Sequence, residues 1–333
     1  MSTRPAPAVA AVRLAVKRFV EEPGVQERLG GEVCVAVSGG ADSLALAEAT
    51  AYVGHHLGLR VRALVVDHAL QDGSADVART AADTSLRLGV DSAEVLTVEV
   101  AGVGGPEAAA RRARYAALRG AQPTLVLLGH TLDDQAETVL LGLGRGSGPR
   151  SVSGMRSLDP PWGRPLLGVP RTITREACFA LGVEPWQDPH NADPRFTRVR
   201  LRTEVLPLLE DVLAGGVAAA LARTAAHLRE DNEALDTLAA DLLTRARAED
   251  GLDTAVLATV PAALRRRTLR RWLLDAGVRE LTDGHLRGID ALIADWHGQG
   301  GVWLPGHLEA KRCHGRLSLS SPDSSPESTT RGD

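Results

Sequence analysis

Short apolar runs alternate with helical patterns along the first two hundred residues. The nearly continuous apolar character of the runs is typical of parallel strands that are covered on both faces. We predict strands at residues 33–37, 61–67, 95–100 and 124–129. We predict helices after them, at residues 42–57, 74–88, 106–118 and 132–143. This order predicts an α/β fold with a doubly wound parallel sheet, in which ligands bind beyond the carboxyl ends of the strands.

The pattern changes after about residue 205. Helical spacing continues at residues 217–248, 262–276 and 282–296, and three short apolar runs follow at 302–304, 308–313 and 317–319. The sequence therefore predicts a second, smaller α+β domain. We expect the first domain at residues 1–205, the second at 216–320, and a disordered tail rich in Ser and Pro at 321–333.

The composition narrows the class of protein. Hydrophobic residues make up 44% of the chain and charged residues 24%, which is ordinary for a globular protein. No apolar run approaches the roughly 18 residues that span a membrane, and the N-terminus lacks the apolar region of a signal peptide. We therefore expect a cytoplasmic protein with no membrane partner. The net charge is only -4, so a nucleic-acid partner would require a local basic surface.

A glycine-rich turn follows the first predicted strand and opens the next helix. It consists of Ser38, Gly39, Gly40, Ala41, Asp42 and Ser43. The glycines allow a sharp turn close to a ligand, and the free N–H groups of a helix start bind anions such as the phosphates of ATP. A carboxylate beside phosphates requires a cation, so we assign Asp42 to Mg²⁺. An ordinary turn with Asp42 as the N-cap is the alternative, and it explains the two glycines better than it explains the whole pattern.

A cluster of charged residues follows the fourth predicted strand. His130, Asp133, Asp134 and Glu137 share one helix face, because they stand at positions i, i+3, i+4 and i+7. The helix dipole favours acidic groups at its start, but three carboxylates on one face require cations. Mg²⁺ and a substrate ammonium are the cations we expect. The alternative is an acidic capping cluster on a solvated face.

Arginines form three groups that we expect to contact phosphate groups or RNA. The groups are Arg111 with Arg114, Arg198 with Arg202, and Arg265 with Arg266 and Arg270. The alternative for the first group is an ion pair between Arg111 and Glu107 within one helix. The alternative for the other two groups is a solvated helix face.

The segment SGGADS at residues 38–43 resembles the PP-loop signature of the ATP pyrophosphatase superfamily. The resemblance implies an adenine nucleotide alpha hydrolase-like fold and cleavage of ATP between its α and β phosphates. Further segments resemble the tRNA(Ile)-lysidine synthetase family. Residues 129–138 match its GHxxDDQxET motif and residues 110–115 match ARxxRY. Looser matches lie at 66–71, where Ala69 and Gln71 replace Gly and Arg, at 188–202 with Asn191, and at 301–319.

The family resemblance implies a reaction in two steps. The C2 oxygen of the wobble cytidine in tRNA(Ile), whose anticodon is CAU, attacks the α-phosphorus of ATP, and the amine of free L-lysine then displaces AMP. At pH 7 a lysine amine is almost fully protonated, and neutralising it costs about 4.6 kcal/mol. The site therefore requires a base. Asp134 and Glu137 are our candidates, and together with Asp42 they form the catalytic set. A homodimer is compatible with these features.

Two other functions fit parts of the pattern. A tRNA thiolase of the same superfamily is the nearer one, but that chemistry usually uses paired cysteines. Cys34, Cys178 and Cys313 lie far apart and form no CxxC pair. The other is a tRNA-binding or nucleotide-binding module without turnover, against which the complete set of carboxylates argues.

Overall fold

The computed structural model describes residues 5–69, 73–100, 105–146, 148–189 and 193–321. Gln71, Asn191 and the predicted tail from residue 322 onward lie outside the described residues, as does the side chain of Glu107. The chain divides into two compact units, Met1–Leu228 and Arg229–Asp333. The domain boundaries predicted above stay predictions.

The first unit contains a six-stranded sheet. Its strands are β1 (Glu32–Val37), β2 (Arg60–Asp67), β3 (Ser92–Thr97), β4 (Val126–Leu127), β5 (Leu158–Asp159) and β6 (Trp162–Gly163). They lie in the order β3-β2-β1-β4-β6-β5, and all neighbouring pairs are parallel except β5 with β6. The predicted α/β class is therefore confirmed, with one antiparallel edge strand added to the parallel sheet.

Helices cover both faces of this sheet. The described helices of the first unit are α1 (Pro7–Val20), α2 (Pro23–Gln26), α3 (Ala41–His56), α4 (Ser74–Arg87), α5 (Pro106–Gly120), α6 (Leu132–Gly144), α7 (Pro149–Val152), α8 (Arg171–Ala180), α9 (Thr197–Arg200) and α10 (Leu206–Val212). Alternate strand residues enter two separate cores, as the pleat requires. Val35 and Val37 pack with α1, α3 and α4, whereas Cys34 and Leu64 pack with Leu118 of α5. This burial on both faces explains the continuous apolar runs.

Several elements of the first unit were not predicted from the sequence. They are α1, α2, α7, α8, α9, α10 and the short strands β5 and β6. A π-helical turn, Leu201–Val205, also connects α9 to α10. The helix α8 matters most for function, because its first residue lies in the charged cluster described below.

The second unit is α+β, as predicted. The helix α11 (Val217–Ala246) crosses the boundary between the units, and α12 (Thr254–Ala258), α13 (Ala262–Asp275) and α14 (Asp283–Ala294) follow. Five antiparallel strands lie in the order β7-β8-β11-β10-β9. They are β7 (Arg247–Ala248), β8 (Gly251–Asp253), β9 (Val302–Leu304), β10 (Leu308–Cys313) and β11 (Arg316–Ser320). Their apolar side chains, with those of α13 and α14, form a core separate from those of the first unit.

Within the described ranges, no single helix is long and apolar enough to cross a membrane. The stretches Thr197–Val212 and Val217–Ala246 pass that length and composition test only as a pair, and they are bent by 95° at the break between them.

Candidate active site

The glycine-rich turn joins the carboxyl end of β1 to the start of α3. Gly39 has φ +83°, a left-handed conformation that glycine adopts at little cost. The hydroxyl of Ser43 accepts a hydrogen bond from the Ser38 amide at 3.1 Å and donates one to the Gly40 carbonyl at 2.9 Å. The turn is therefore closed by its own side chain. The Ser43 amide donates to the Gly40 carbonyl at 3.1 Å. The amides of Ala41 and Asp42 are therefore the N–H groups at the start of α3 that can bind an anion.

Neighbouring segments fix this turn in place. A Cβ atom added at Gly129 would lie 3.1 Å from backbone atoms of Asp42 and Ser43, so the segment after β4 packs directly on the start of α3. On the other side, the amide of Trp186 donates a hydrogen bond to the Gly39 carbonyl at 2.9 Å. The turn is held from two directions, which limits how far it can move when a ligand binds.

Asp42 already has partners within the chain. Its carboxylate accepts hydrogen bonds from the Thr174 hydroxyl and from Nε of Arg171, the latter at 3.3 Å. Burial raises the pKa of Asp42, and the contacts with Thr174 and Arg171 oppose that rise. The assignment of Asp42 to Mg²⁺ stays a prediction. The described residues contain no group of three or more His, Cys, Asp or Glu side chains that could hold a metal ion.

The two aspartates at the start of α6 connect it to other segments. The amide and the hydroxyl of Thr131 donate to Oδ2 of Asp134 at 2.8 and 2.9 Å. Oδ1 of Asp134 accepts from Nη2 of Arg171 at 2.6 Å. Burial works to raise the pKa of Asp134, but Arg171 and Thr131 hold it below its usual value. Asp133 accepts from the Arg171 amide at 2.8 Å, so it caps the start of α8.

Glu137 is fully buried and lies among three arginines. Arg202 binds both of its oxygens, with Nε at 2.8 Å and Nη2 at 3.2 Å. Arg171 and Arg198 approach to 3.6 and 3.7 Å. The expectation that the acidic cluster requires external cations is therefore corrected, because arginines of the chain itself supply the positive charge. The phosphate or tRNA contacts assigned to Arg198 and Arg202, and the proton transfer assigned to Glu137, stay predictions.

Arg171 is the central residue of the cluster, and sequence reasoning did not find it. One guanidinium, with its side chain 10% exposed, faces Asp42, Asp134 and Glu137. Burial works to lower its pKa, but the carboxylates raise it above the usual value. The signal in the sequence was weak. Pro170 precedes a helical apolar pattern at residues 171–180, but nothing local connects this arginine to Asp134 and Asp42, which lie 37 and 129 positions earlier.

His130 follows β4 and lies beside the arginines of α5. Burial first, then Arg164, Arg114 and Arg111, lower its pKa to about 3, against the opposing effect of Asp134. His130 is therefore neutral at pH 7. Its Nδ1 atom is buried and has no hydrogen-bond partner among the described residues, which leaves it able to bind a ligand. The role of His130 in nucleotide binding stays a prediction.

The arginines of α5 lie near the same edge of the sheet. Arg111 donates to the Tyr115 hydroxyl at 3.3 Å, and its guanidinium lies 4.9 Å from the centre of that ring. Arg114 affects both His68 and His130 electrostatically and lowers the pKa of each, although burial lowers both further. Phosphate or RNA contacts by Arg111 and Arg114 stay predictions.

The arginines of α13 differ among themselves. Arg265 is buried, forms an ion pair with Asp290, and donates to the Val260 carbonyl at 3.0 Å. Its prediction as an exposed RNA contact is corrected, because its guanidinium stabilises the interior of the second unit. Arg266 donates to the Ala262 carbonyl at 3.2 Å and is 28% exposed, and Arg270 is half-buried. The RNA contacts assigned to Arg266 and Arg270 stay predictions.

The fold and the glycine-rich turn define a PP-loop protein. The family description "PP-loop domain" matches residues 11–209, and "TilS substrate binding domain" matches residues 252–318. A tRNA(Ile)-lysidine synthase of Rhodococcus erythropolis is 57% identical over 323 residues, 95% of this chain and 97% of that protein. One from Nocardia farcinica is 59% identical over 300 residues, 88% of this chain and 93% of that protein. The chain therefore belongs to the tRNA(Ile)-lysidine synthase family, and the resemblance found in its sequence is confirmed.

A solved structure supports the fold independently. The U34-tRNA thiolase NcsA from Methanococcus maripaludis superposes with a TM-score of 0.55, at 17% identity, over 67% of this chain and 80% of that chain. At that identity, the likeness concerns the fold alone. The cysteines of this chain are free, with Cys34 and Cys178 buried and Cys313 exposed.

Proposed function

We propose that this chain ligates free L-lysine to C2 of the wobble cytidine in tRNA(Ile) with a CAU anticodon. The product base is lysidine, which changes the codon specificity from AUG to AUA. Membership in the tRNA(Ile)-lysidine synthase family supports this activity. The enzyme is an ATP-dependent ligase that forms a carbon–nitrogen bond, and we assign it cleavage of ATP to AMP and pyrophosphate. A homodimer and a cytoplasmic location remain predictions.

One observation carries the proposal: a single guanidinium connects the phosphate-binding turn to the acidic helix. Arg171 lies 3.3 Å from Asp42 on α3 and 2.6 Å from Asp134 on α6. Ligation requires each pair of reacting atoms to approach to about 3–3.5 Å. The turn that we propose binds the triphosphate and the carboxylates that we propose hold the ammonium therefore have to share one site, and the contacts of Arg171 with Asp42 and Asp134 support this.

The residues of the turn fit ATP. The Ser38 hydroxyl and the amides at the start of α3 are donors for phosphate oxygens, and the Ser43 hydroxyl becomes one if it releases the Gly40 carbonyl. We propose Asp42 as a ligand of Mg²⁺, because this ion is usually held by one or two carboxylates together with phosphate oxygens. Bound Mg²⁺ would offset the charge of the triphosphate. Asp42 would then exchange part of its contact with Arg171 for the metal.

The reaction balances with these residues. The cytidine oxygen forms a bond to the α-phosphorus, and pyrophosphate leaves with the electrons of the broken P–O bond. The lysine nitrogen then bonds to C2, and AMP leaves with the oxygen. The amine must lose a proton, and we assign its acceptance to Asp134 or Glu137. Their carboxylates also hold the ammonium before it is deprotonated.

A direct assay tests the activity. The purified chain is incubated with labelled ATP, labelled lysine and a tRNA(Ile) transcript, and a transcript with uridine at the wobble position serves as the control. We expect lysine in the cytidine transcript only, with one AMP and one pyrophosphate for each lysine. Absence of lysine incorporation at saturating ATP and Mg²⁺ would refute the proposal.

The two steps can be separated with Glu137→Gln, which keeps the size of the side chain and removes its charge. We expect this variant to release pyrophosphate once per bound tRNA, while lysine transfer falls by about 10²–10⁴. Glu204→Gln, the same change in an exposed ion pair with Arg200, is the control and should leave both steps unchanged. Equal loss of both steps would assign Glu137 to the nucleotide instead.

A further inference from the structure

The carboxylate of Glu137 is closed to solvent by an arginine. Its side chain is 0% exposed, and Arg202 occupies both of its oxygens through a two-point hydrogen bond. A lysine ammonium would require the same oxygens. A lysine ammonium would therefore compete with Arg202 for direct contact with Glu137.

The three arginines around Glu137 differ in their freedom to move. Arg171 is 10% exposed, and its amide and guanidinium are held by the acidic residues Asp133, Asp42 and Asp134. Arg202 and Arg198 are 28% and 37% exposed, so their guanidinium groups can reach a ligand from solvent. Arg171 is thus a fixed cation, and Arg202 and Arg198 are the exchangeable ones.

The backbone around Arg202 supports this distinction. Arg202 lies in the π-helical turn Leu201–Val205, between α9 and α10. Single π-helical turns are rare and occur frequently at functional sites. The turn places Arg202 over the acidic helix α6, where it also approaches Asp134 at 3.5 Å.

We propose that Arg202 leaves Glu137 for phosphate oxygens when an anionic ligand binds, and that this exchange opens Glu137 to the ammonium of lysine. The inference rests on the function proposed above and adds an order of binding to it. The planar guanidinium binds phosphate as well as carboxylate through two hydrogen bonds, so Arg202 has a partner of equal quality to move to. Lysine then replaces the lost charge, and Glu137 keeps a cation at every stage, which avoids a buried unpaired charge.

This exchange couples the two ligands. A phosphate ligand favours lysine because it removes the competing arginine, and lysine favours the phosphate ligand to the same degree, because coupling in binding is reciprocal. The phosphate oxygens belong to the nucleotide or to the tRNA backbone. In either case, lysine binds more tightly once another reactant is present.

The test measures lysine binding to the full chain by equilibrium dialysis. Labelled lysine is titrated alone, with Mg²⁺ and α,β-methylene-ATP, with tRNA(Ile), and with both. We expect lysine to bind at least about tenfold more tightly with a phosphate ligand present. The titration in which lysine binds more tightly identifies whether the nucleotide or the tRNA supplies the phosphate.

Variants at Arg202 isolate the cause. Arg202→Gln should bind lysine with the same affinity with and without the phosphate ligand. Arg202→Lys keeps the positive charge but lacks the planar guanidinium that forms two parallel hydrogen bonds, so it should retain part of the coupling. This variant preserves the test if the glutamine variant does not fold. Arg200→Gln is the matched control, because Arg200 lies two residues away in an exposed pair with Glu204, and it should couple like the wild type.

Lysine incorporation into tRNA is measured in parallel on the wild-type chain. If incorporation proceeds but the phosphate ligands do not tighten lysine binding, the exchange is wrong and the proposed function stands. The same conclusion follows if the coupling persists in Arg202→Gln. If no lysine is incorporated, the proposed function itself fails, and the exchange fails with it.

Discussion

Replacement of Arg171 by methionine should destabilise the first unit more than any nearby charge removal. Methionine keeps most of the length of the side chain and removes the cation. Asp42 then loses its only ionic partner among the described residues and retains the Thr174 hydrogen bond, whereas Glu137 keeps Arg202 and Arg198. Arg175→Met, one turn further along α8 and exposed, is the matched control.

The magnitude follows from the burial of the pair. Removal of one partner from a buried ion pair costs about 3–5 kcal/mol, because the other charge is left uncompensated. That is a substantial part of the roughly 5–15 kcal/mol that stabilises a typical domain. Arg171→Lys should fall between wild type and methionine, since an ammonium lacks the planar fork that reaches several carboxylates at once.

Native-state hydrogen exchange is the suitable assay, because two units need not unfold together. Amides of α3 and α8 should exchange at least about 10²-fold faster in Arg171→Met, because each 1.4 kcal/mol of lost stability speeds exchange about tenfold. Amides of α13, in the second unit, provide an internal reference and should not change. If the opening free energies of the α3 and α8 amides stay within about 0.5 kcal/mol of the wild-type values, the reasoning is refuted, since the carboxylates would then be neutralised in another way.

Three further predictions concern other parts of the chain. Gly129→Ala places a Cβ atom 3.1 Å from the backbone of Asp42, so we expect the variant to lose about 1–3 kcal/mol of stability. Calorimetry should also show weaker ATP binding. Unchanged affinity would mean that the glycine-rich turn can move away from the added methyl group. Because the pKa of native His130 is lowered to about 3 from 6.5, the unfolded state takes up the proton first, and stability should fall below pH 6.5 by up to about 1.4 kcal/mol per pH unit. Thermal melts of His130→Gln should show a smaller dependence on pH, and an equal dependence would contradict this origin. Arg270→Gln should weaken tRNA binding and reduce its dependence on salt, whereas Arg265→Gln should lower the melting temperature. Filter binding at several salt concentrations and thermal melts are measured on both variants. The opposite result, with Arg265→Gln affecting tRNA binding and Arg270→Gln affecting the melting temperature, would contradict these assignments.

The order of the elements and the position of the glycine-rich turn could be predicted from the sequence alone. Apolar periodicity is a local property, so the first four strands and the helices after them could be predicted within a few residues. The turn at residues 38–43 could be predicted for the same reason, because its glycines, its hydroxyls and the helix start are adjacent in the chain. The motif at residues 129–138 likewise depends only on neighbouring positions.

Which charges neutralise one another depends on contacts between distant segments of the chain. Arg171 meets Asp42 across 129 positions, and Arg202 meets Glu137 across 65. No local pattern encodes such pairs, since they depend on how the sheet brings α3, α6 and α8 to one edge. The same reason explains Arg265, which looks like a surface cation in the sequence and is buried against Asp290. The sequence shows which residues carry a charge, but the partner of each charged residue and its burial follow from the packing of distant segments.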